Sequence, residues 1–302
     1  MIDRFFIEAL YQMETAVRID EALSKHTTFG IGGCVPLYVK PLTLRTLPEI
    51  IPILKENGRD LKILGIGSNV LAEEGLLPFT VLDMTDINGF CLEEKGIWVE
   101  AGCALRKMSR VFFDHGWSGL EFAAGIPGTI GGGIVMNAGA YGSQMADLVL
   151  EVEAFDRESG GFKVYSPQAC RFSYRSSRFS QTNELITRVL LKTRSGDVGQ
   201  IQEEMKDFER RRIEKQPLEY GSAGSIFKKP SEDFHVGKAI EELGLKGRRI
   251  GGARISPRHC GFIVNEGSAS YADVRSLIDL IRNEISRTFG IGLELEVCLW
   301  GR

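Results

Sequence analysis

The stretch that decides the fold is AAGIPGTIGGGIVMNAGAYG, residues 123–142. Seven of the 19 residues from Ala124 to Gly142 are glycine, so the segment has very little side chain to bury. Glycine also loses more conformational entropy on folding than any other residue, unless the backbone needs its freedom. We interpret the segment as main chain that approaches a ligand closely, with N–H groups directed at phosphate.

Two further glycine-rich stretches support this interpretation. GIGSN (65–69) follows a predicted strand, and TTFGIGG (27–33) precedes it. Each alone is typical of an ordinary turn, but together with the 124–142 segment they account for most of the glycine excess, 35 of 302 residues against an average of about 7 %. No strand–GxGxxG–helix unit and no GxxxxGK[ST] loop occurs, which disfavours a Rossmann or P-loop site. FAD held in another fold is therefore the natural candidate ligand.

Composition narrows the class of protein. The formal net charge is −3, from 37 basic and 40 acidic residues, which is unlike the basic surface of a nucleic-acid binder. No stretch reaches the roughly 18 apolar residues of a membrane span, and the N-terminus reads as a short amphipathic helix rather than a signal peptide. Six cysteines without a CxxC pair and four histidines without ligand spacing predict reduced thiols and no metal site.

Periodicity predicts a mixed α and β chain. Helices are expected over 43–58, 104–115 and 200–217, and a further one is opened by the capping pair Ser270 and Asp273. Predicted strands follow alternating or β-branched patterns. These strands lie at 61–71, 80–84, 97–102, 148–156, 261–267 and 293–300, with two more in GFKVYS and ELITRVLLKT. The glycine segment itself is expected to be loop, and a domain boundary is expected near 196–215.

Seven blocks of the sequence, in this order, resemble the UDP-N-acetylenolpyruvoylglucosamine reductase (MurB) family. The resemblance spans roughly residues 20–302. The blocks are HTTFGIGG (26–33), LGIGSNVL (64–71), AGIPGTIGGGIVMNAGAYG (124–142), YRSSRF (174–179), KQPLEYGSAGSIFKKP (215–230), IGGARISPRHCGFIVN (250–265) and LELEV (293–297).

The resemblance implies an α+β fold in two domains. Residues 1–200 would form an FAD-binding domain of the vanillyl-alcohol-oxidase (PCMH) type, with two α+β subdomains at about 1–75 and 76–200. Residues 201–302 would form an α+β substrate-binding domain. The implied protein is cytoplasmic and monomeric, binds FAD non-covalently, and interacts with small molecules rather than with nucleic acid or membrane.

The implied reaction belongs to peptidoglycan precursor synthesis. NADPH reduces FAD, and reduced FAD transfers a hydride to a vinyl carbon of UDP-N-acetylglucosamine enolpyruvate, giving UDP-N-acetylmuramate. The second vinyl carbon then needs a proton, and the enolate-like charge beside the carboxylate needs stabilisation. Ser225 matches the family's proton donor, and Arg175 and Glu296 match the residues that stabilise the enolate. Without the resemblance, these would read as a turn serine, a surface arginine and a solvent-facing carboxylate.

The resemblance also implies binding residues. The cofactor-binding set is Gly65, Gly67, Ser68, Asn69, Ala124, Gly125, Gly128, Thr129, Gly132, Asn137 and Gly139. The substrate-binding set is Tyr174, Arg178, Lys215, Lys228 and Lys229. This chain departs from the family at Lys229, where part of the family has asparagine, at Arg258, where lysine is usual, and at Gly221, where proline is common.

Two alternatives remain open from the sequence. Another FAD-dependent oxidoreductase of the same fold would keep the glycine loops but has no reason to combine Ser225, Arg175 and Glu296. A non-enzymatic nucleotide-binding module would not respond to NADPH.

Overall fold

The structure is a computed structural model, and it describes residues 4–56 and 58–301. The described residues form seven α-helices and sixteen strands. The helices are α1 (Arg4–Tyr11), α2 (Leu47–Glu56), α3 (Leu105–Asp114), α4 (Ile130–Val135), α5 (Val198–Lys215), α6 (Val236–Glu242) and α7 (Tyr271–Phe289). The strands are β1 (Thr15–Ala22), β2 (Cys34–Pro41), β3 (Asp60–Leu64), β4 (Val70–Ala72), β5 (Phe79–Asp83), β6 (Phe90–Glu93), β7 (Gly96–Glu100), β8 (Gly139–Ala140), β9 (Ser143–Gln144), β10 (Val149–Asp156), β11 (Gly161–Tyr165), β12 (Glu184–Leu191), β13 (Arg249–Ile250), β14 (Ala253–Ile255), β15 (Ile263–Asn265) and β16 (Cys298–Trp300). This content confirms the predicted α+β class.

The chain divides into two compact units. The first comprises the described residues of 1–20, 36–66 and 78–211, and the second those of 21–35, 67–77 and 212–302. The division into 1–200 and 201–302, with subdomains at about 1–75 and 76–200, stays a prediction.

The first unit contains two sheets with separate cores. One sheet has the order β1-β2-β5-β3, in which β5 pairs in parallel with both β2 and β3. Helix α2 connects β2 to β3, as a parallel arrangement requires, and Ile50, Ile51 and Leu54 on it are buried. The other sheet is antiparallel, with the order β11-β10-β12-β7-β6, and its core includes Phe112 of α3 and Ile134 of α4.

The second unit packs helix α7 against the antiparallel sheet β13-β14-β15. The Ser270 hydroxyl accepts a hydrogen bond from the Asp273 N–H at 3.1 Å, and Asp273 accepts from the Ser270 N–H at 3.0 Å. The helix ends at Gly290, which has a φ of 68°. The predicted capping box, buried face and terminal glycine of this helix are confirmed. The buried face consists of Val274, Leu277, Ile278, Ile281 and Ile285.

Two predictions about local structure were wrong. The glycine segment is not loop throughout, because α4 forms inside it with Ile130 and Ile134 fully buried. A Cβ at Gly131 would lie 2.9 Å from the Cβ of Ala101, so the missing side chain lets this helix approach the end of β7 closely. The expected strand over 293–300 forms only at β16, since Leu295 makes one isolated bridge, with Phe227.

None of the helices in the described part of the chain combines the length and apolar character that a membrane span requires.

Candidate functional site

The glycine segment presents free main-chain donors. The Gly125 carbonyl accepts a hydrogen bond from Arg106 Nη2, and the Gly128 carbonyl accepts from the Leu105 N–H, each at 3.0 Å. Neither glycine donates its own N–H to another residue among those that the structure describes. Main-chain N–H groups without protein acceptors suit the oxygens of a diphosphate, so this loop fits a dinucleotide such as FAD.

Thr129 holds the start of α4. Its hydroxyl accepts a hydrogen bond from the Gly132 N–H at 3.2 Å, which caps the helix. A Cβ at Gly65 would lie only 2.6 Å from this hydroxyl oxygen. Glycine at 65 therefore allows the turn after β3 to pack against the start of α4. Ala124, in the same segment, is buried.

The second glycine loop lies in the second unit from Gly67 onward. Gly67 has a φ of 71°, and a Cβ there would collide with the His26 carbonyl oxygen. Ser68 follows in the turn before β4. Asn69 Nδ2 donates to the Glu296 carbonyl at 2.9 Å, which ties this turn to the C-terminal segment.

The YRSSRF loop lies against the glycine segment. Arg175 has a φ of 52°, and its Nη2 donates to the Gly139 carbonyl at 2.9 Å. Its guanidinium carbon lies 5.2 Å from the ring centroid of Tyr174, which is half exposed. Residues other than glycine adopt left-handed backbone only at a cost in free energy, and those that do so cluster at functional sites. The positive φ of Arg175 therefore supports its candidacy as a catalytic residue.

Arg178 is engaged within the protein. Its Nε lies 3.2 Å from a Glu184 carboxylate oxygen, and its guanidinium carbon lies 4.2 Å from the Tyr165 ring centroid. Burial, together with a hydrogen bond to Glu184, raises the pKa of Tyr165 to about 12. The structure therefore gives Arg178 a role in holding this loop, and its contact with substrate stays a prediction.

Ser225 and Glu296 lie on neighbouring backbone segments of the second unit. Ser225 pairs with Phe262 in an antiparallel bridge, and the Glu296 N–H donates to the Ile226 carbonyl at 2.8 Å. Gly224, with a φ of 76°, turns the chain immediately before Ser225. Ser225 is partly exposed, and its hydroxyl makes no hydrogen bond within the described chain, so it is available to a ligand.

The predicted lysines differ in their surroundings. Lys228 Nζ lies 2.6 Å from a Glu294 carboxylate oxygen, and the main-chain N–H of Lys228 donates to the Glu294 carbonyl. Lys229 and Lys215 are exposed. Their predicted contacts with substrate stay predictions.

Two of the departures have identifiable surroundings. Arg258 binds the Glu219 carboxylate with both terminal nitrogens, at 3.0 and 3.1 Å, and also donates to the Gln216 carbonyl. A Cβ at Gly221 would lie 2.8 Å from the Phe29 carbonyl oxygen, so this position is closely packed by main chain.

Sequence reasoning missed His259. A Cβ at Gly261 would lie 3.2 Å from His259 Nδ1 and 3.9 Å from Ser225 Oγ, so both groups border the same space. Nδ1 is buried without a hydrogen-bond partner. Burial lowers the pKa of His259, and the positive charge of Lys215 lowers it further, which favours neutral imidazole. His259 has no second potential metal ligand at a regular spacing in the sequence, so the sequence alone could not indicate a functional role for it.

In the part of the chain that the structure describes, no cluster of three or more histidine, cysteine, aspartate or glutamate side chains could hold a metal ion. All six cysteines are free thiols.

Two family models match the chain. The model described as "UDP-N-acetylenolpyruvoylglucosamine reductase, C-terminal domain" matches residues 216–300. The model described as "FAD binding domain" matches residues 35–163, which include the glycine segment and both glycines of the 65–67 turn. These matches confirm the predicted FAD-binding type of fold.

Full-length relatives and one solved structure are similar to the chain. A UDP-N-acetylenolpyruvoylglucosamine reductase of Thermotoga sp. (strain RQ2) is 42 % identical over 300 residues, covering 99 % of this chain and 98 % of its own. The enzyme of the same name from Caldanaerobacter subterraneus subsp. tengcongensis is 39 % identical, covering 95 % of each chain. The crystal structure of UDP-N-acetylenolpyruvylglucosamine reductase (MurB) from Thermus caldophilus superposes with a TM-score of 0.80 at 34 % identity, covering 95 % of this chain and 98 % of its own.

Proposed function

Because this chain belongs to the UDP-N-acetylenolpyruvoylglucosamine reductase family, we propose that it reduces UDP-N-acetylglucosamine enolpyruvate to UDP-N-acetylmuramate in peptidoglycan precursor synthesis. It is an FAD-dependent oxidoreductase that acts on a small molecule, with NADPH as the reductant. The observation that carries the proposal is similarity at about 40 % identity over nearly the whole length of each protein.

The glycine-rich loops are the proposed cofactor-binding segments. The N–H groups of Gly125 and Gly128 would donate to the diphosphate of FAD, and Thr129 caps α4, which begins directly after them. The other proposed cofactor positions lie in these glycine-rich loops, where Asn137 would contribute only its main chain, because both donors of its side-chain amide are used within the protein. When bound, FAD supplies the hydride that a vinyl carbon of the substrate accepts.

Each catalytic residue has a separate task. Arg175 binds the substrate carboxylate through its planar fork and stabilises negative charge as it develops there. The partly exposed hydroxyl of Ser225 donates its proton to the second vinyl carbon. Glu296, on the neighbouring segment, assists this protonation or the stabilisation of the enolate together with Arg175.

The substrate's diphosphate is bound by basic side chains. Tyr174, Arg178, Lys215, Lys228 and Lys229 are the proposed substrate-binding residues, with the lysines acting as point charges. We also propose a cytoplasmic monomer that binds no nucleic acid or membrane, with domains at 1–200 and 201–302.

An anaerobic titration tests the proposed reaction. We expect one equivalent of NADPH to bleach the flavin band of the purified protein, and UDP-N-acetylglucosamine enolpyruvate to restore it. Bleaching without recovery would favour another FAD-dependent oxidoreductase with a different acceptor. No flavin response after addition of FAD would favour a nucleotide-binding module.

Half-reactions test the proton donor. Ser225→Ala is expected to leave reduction by NADPH within about twofold and to slow reoxidation by substrate by about 10²- to 10⁴-fold. Ser231→Ala, an exposed serine of the same unit, is the matched control and is expected to behave as the wild type. Equal slowing of both half-reactions would contradict the role of Ser225.

A further inference from the structure

Three hydrogen bonds join the glycine segment to the YRSSRF loop and the residue before it. Two of the donors lie in the YRSSRF loop and one lies in the glycine segment. Side chains of one segment bond to carbonyl groups of the other, and residues 135–139 and 173–177 thereby form what we call the clasp. The bonds run from Ser177 Oγ to the Val135 carbonyl at 3.0 Å, from Asn137 Nδ2 to the Ser173 carbonyl at 3.0 Å, and from Arg175 Nη2 to the Gly139 carbonyl at 2.9 Å.

Asn137 lies at the centre of the clasp. It is only 1 % exposed. Its Nδ2 donates to Gln144 Oε1 at 2.8 Å as well as to the Ser173 carbonyl, and its Oδ1 accepts from the Ala146 N–H at 3.0 Å. A primary amide has two N–H donors, and both are used inside the protein. The side chain therefore has no donor left for a ligand.

The middle residue of each segment of the clasp has left-handed backbone. Asn137 has a φ of 42° and Arg175 a φ of 52°. Asparagine adopts left-handed backbone more readily than most residues, whereas for arginine it costs free energy unless the surrounding structure holds it in place. The buried amide of Asn137 supplies such a constraint, because it holds the Ser173 carbonyl two residues before Arg175.

We propose that Asn137 is a positioning residue for Arg175: its amide holds the YRSSRF loop so that the Arg175 guanidinium meets the substrate carboxylate. This inference rests on the proposed function of Arg175. Displacing a reacting or charge-stabilising group by about 1 Å costs on the order of 10²-fold in rate, so a loosened loop slows the step in which Arg175 takes part and no other.

The test compares Asn137→Gly with Asn183→Gly. Glycine at 137 tolerates the positive φ and removes the side chain, with its bonds to Ser173, Gln144 and Ala146. Asn183 is an exposed asparagine whose amide donates to Glu158, and it serves as the matched control. Asn137→Gly holoenzyme is expected to keep its flavin and its rate of reduction by NADPH within about twofold, and to be reoxidised by substrate about 10- to 100-fold more slowly. Asn183→Gly is expected to match the wild type in both steps.

A double variant tests whether Asn137 acts through Arg175. If it does, Asn137→Gly combined with Arg175→Ala is reoxidised no more slowly than Arg175→Ala alone, whereas independent effects multiply. Multiplied effects would overturn the inference, and so would loss of flavin or slower reduction by NADPH in Asn137→Gly. If Arg175→Ala is reoxidised slowly but Asn137→Gly is reoxidised at the normal rate, the inference is overturned and the proposed role of Arg175 stands. Normal reoxidation of Arg175→Ala would overturn the proposed role of Arg175 and the inference with it.

A second variant covers the case in which Asn137→Gly does not fold. Ser177→Ala removes only the bond to the Val135 carbonyl. It is expected to slow reoxidation by substrate by a smaller factor, about threefold to tenfold, without changing reduction by NADPH. Full-rate reoxidation of Ser177→Ala would then overturn the inference.

Discussion

Gly65→Ala places a methyl group where the structure has no room for one. The added Cβ would lie 2.6 Å from Thr129 Oγ1 and 3.0 Å from its Cγ2. The φ of Gly65 is not in the left-handed region, so alanine is tolerated by the backbone and the effect is purely steric. Thr129 is only 3 % exposed and has little space into which it can move.

The magnitude follows from what Thr129 does. Displacing its hydroxyl breaks the bond from the Gly132 N–H that caps α4, and loss of such a cap costs about 0.5–2 kcal/mol. Adding a methyl group to a packed site costs about 1–3 kcal/mol in strain. We therefore expect the free energy of unfolding to fall by about 1.5–5 kcal/mol.

Urea denaturation measures this loss, followed by circular dichroism and by the fluorescence of Trp98 and Trp117, which lie in the first unit. Gly161→Ala is the matched control, because a Cβ there meets nothing within 4 Å, and it is expected to change stability by less than about 0.5 kcal/mol. Thr129→Ala removes the colliding atoms, so Gly65→Ala should cost almost nothing further in that background. Full stability of Gly65→Ala, or an undiminished cost in the Thr129→Ala background, would refute the steric reasoning.

Four further predictions concern stability. Ser270→Ala removes the α7 cap and should lower the free energy of unfolding by about 1 kcal/mol in urea titrations. The Ser270 N–H and hydroxyl lower the pKa of Asp273, so its pKa is lower in the folded than in the unfolded state. The stability difference between wild type and Asp273→Ala should therefore be present at neutral pH and shrink as pH falls below about 4. Ile278→Ala should cost about 2–5 kcal/mol because Ile278 is fully buried, whereas Ile213→Ala, at a position 63 % exposed, should change stability by less than about 0.5 kcal/mol; equal losses at both positions would contradict the assigned core. Gly67→Ala should cost more than about 1 kcal/mol, since its Cβ would meet the main chain in left-handed backbone, and an unchanged thermal midpoint would contradict this.

The elements that sequence predicted best are those specified locally. Helix α7 has its cap, its buried face and its terminal glycine within about 20 consecutive residues, and all three were predicted. Helix α5 ends at Lys215, just before the predicted stop at Pro217. Capping and helical periodicity act over three or four residues, so they can be recognised without tertiary information.

The errors occurred where tertiary packing outweighs local preference. Glycines 131–133 predict loop from propensity, but there the missing side chains let α4 pack against Ala101. The alternation in 293–297 predicts a strand, but only Leu295 is paired, in an isolated bridge with Phe227. Neither partner is close in sequence, so neither outcome could be predicted from the local pattern.

The amino-acid sequence by itself determined the α+β class, the family and the FAD-binding type of fold, because the ordered motifs and the glycine-rich composition reflect the backbone conformations that the chain adopts. Only the tertiary structure showed that Asn137 donates to the Ser173 carbonyl beside Arg175 and that Arg178 forms an ion pair with Glu184. It also placed Ser225 Oγ and His259 Nδ1 near the same position, beside Gly261. Asn137 and Ser173 are 36 positions apart, and 34 positions separate Ser225 from His259. Contacts over such separations depend on how the whole chain packs, and no local pattern encodes them.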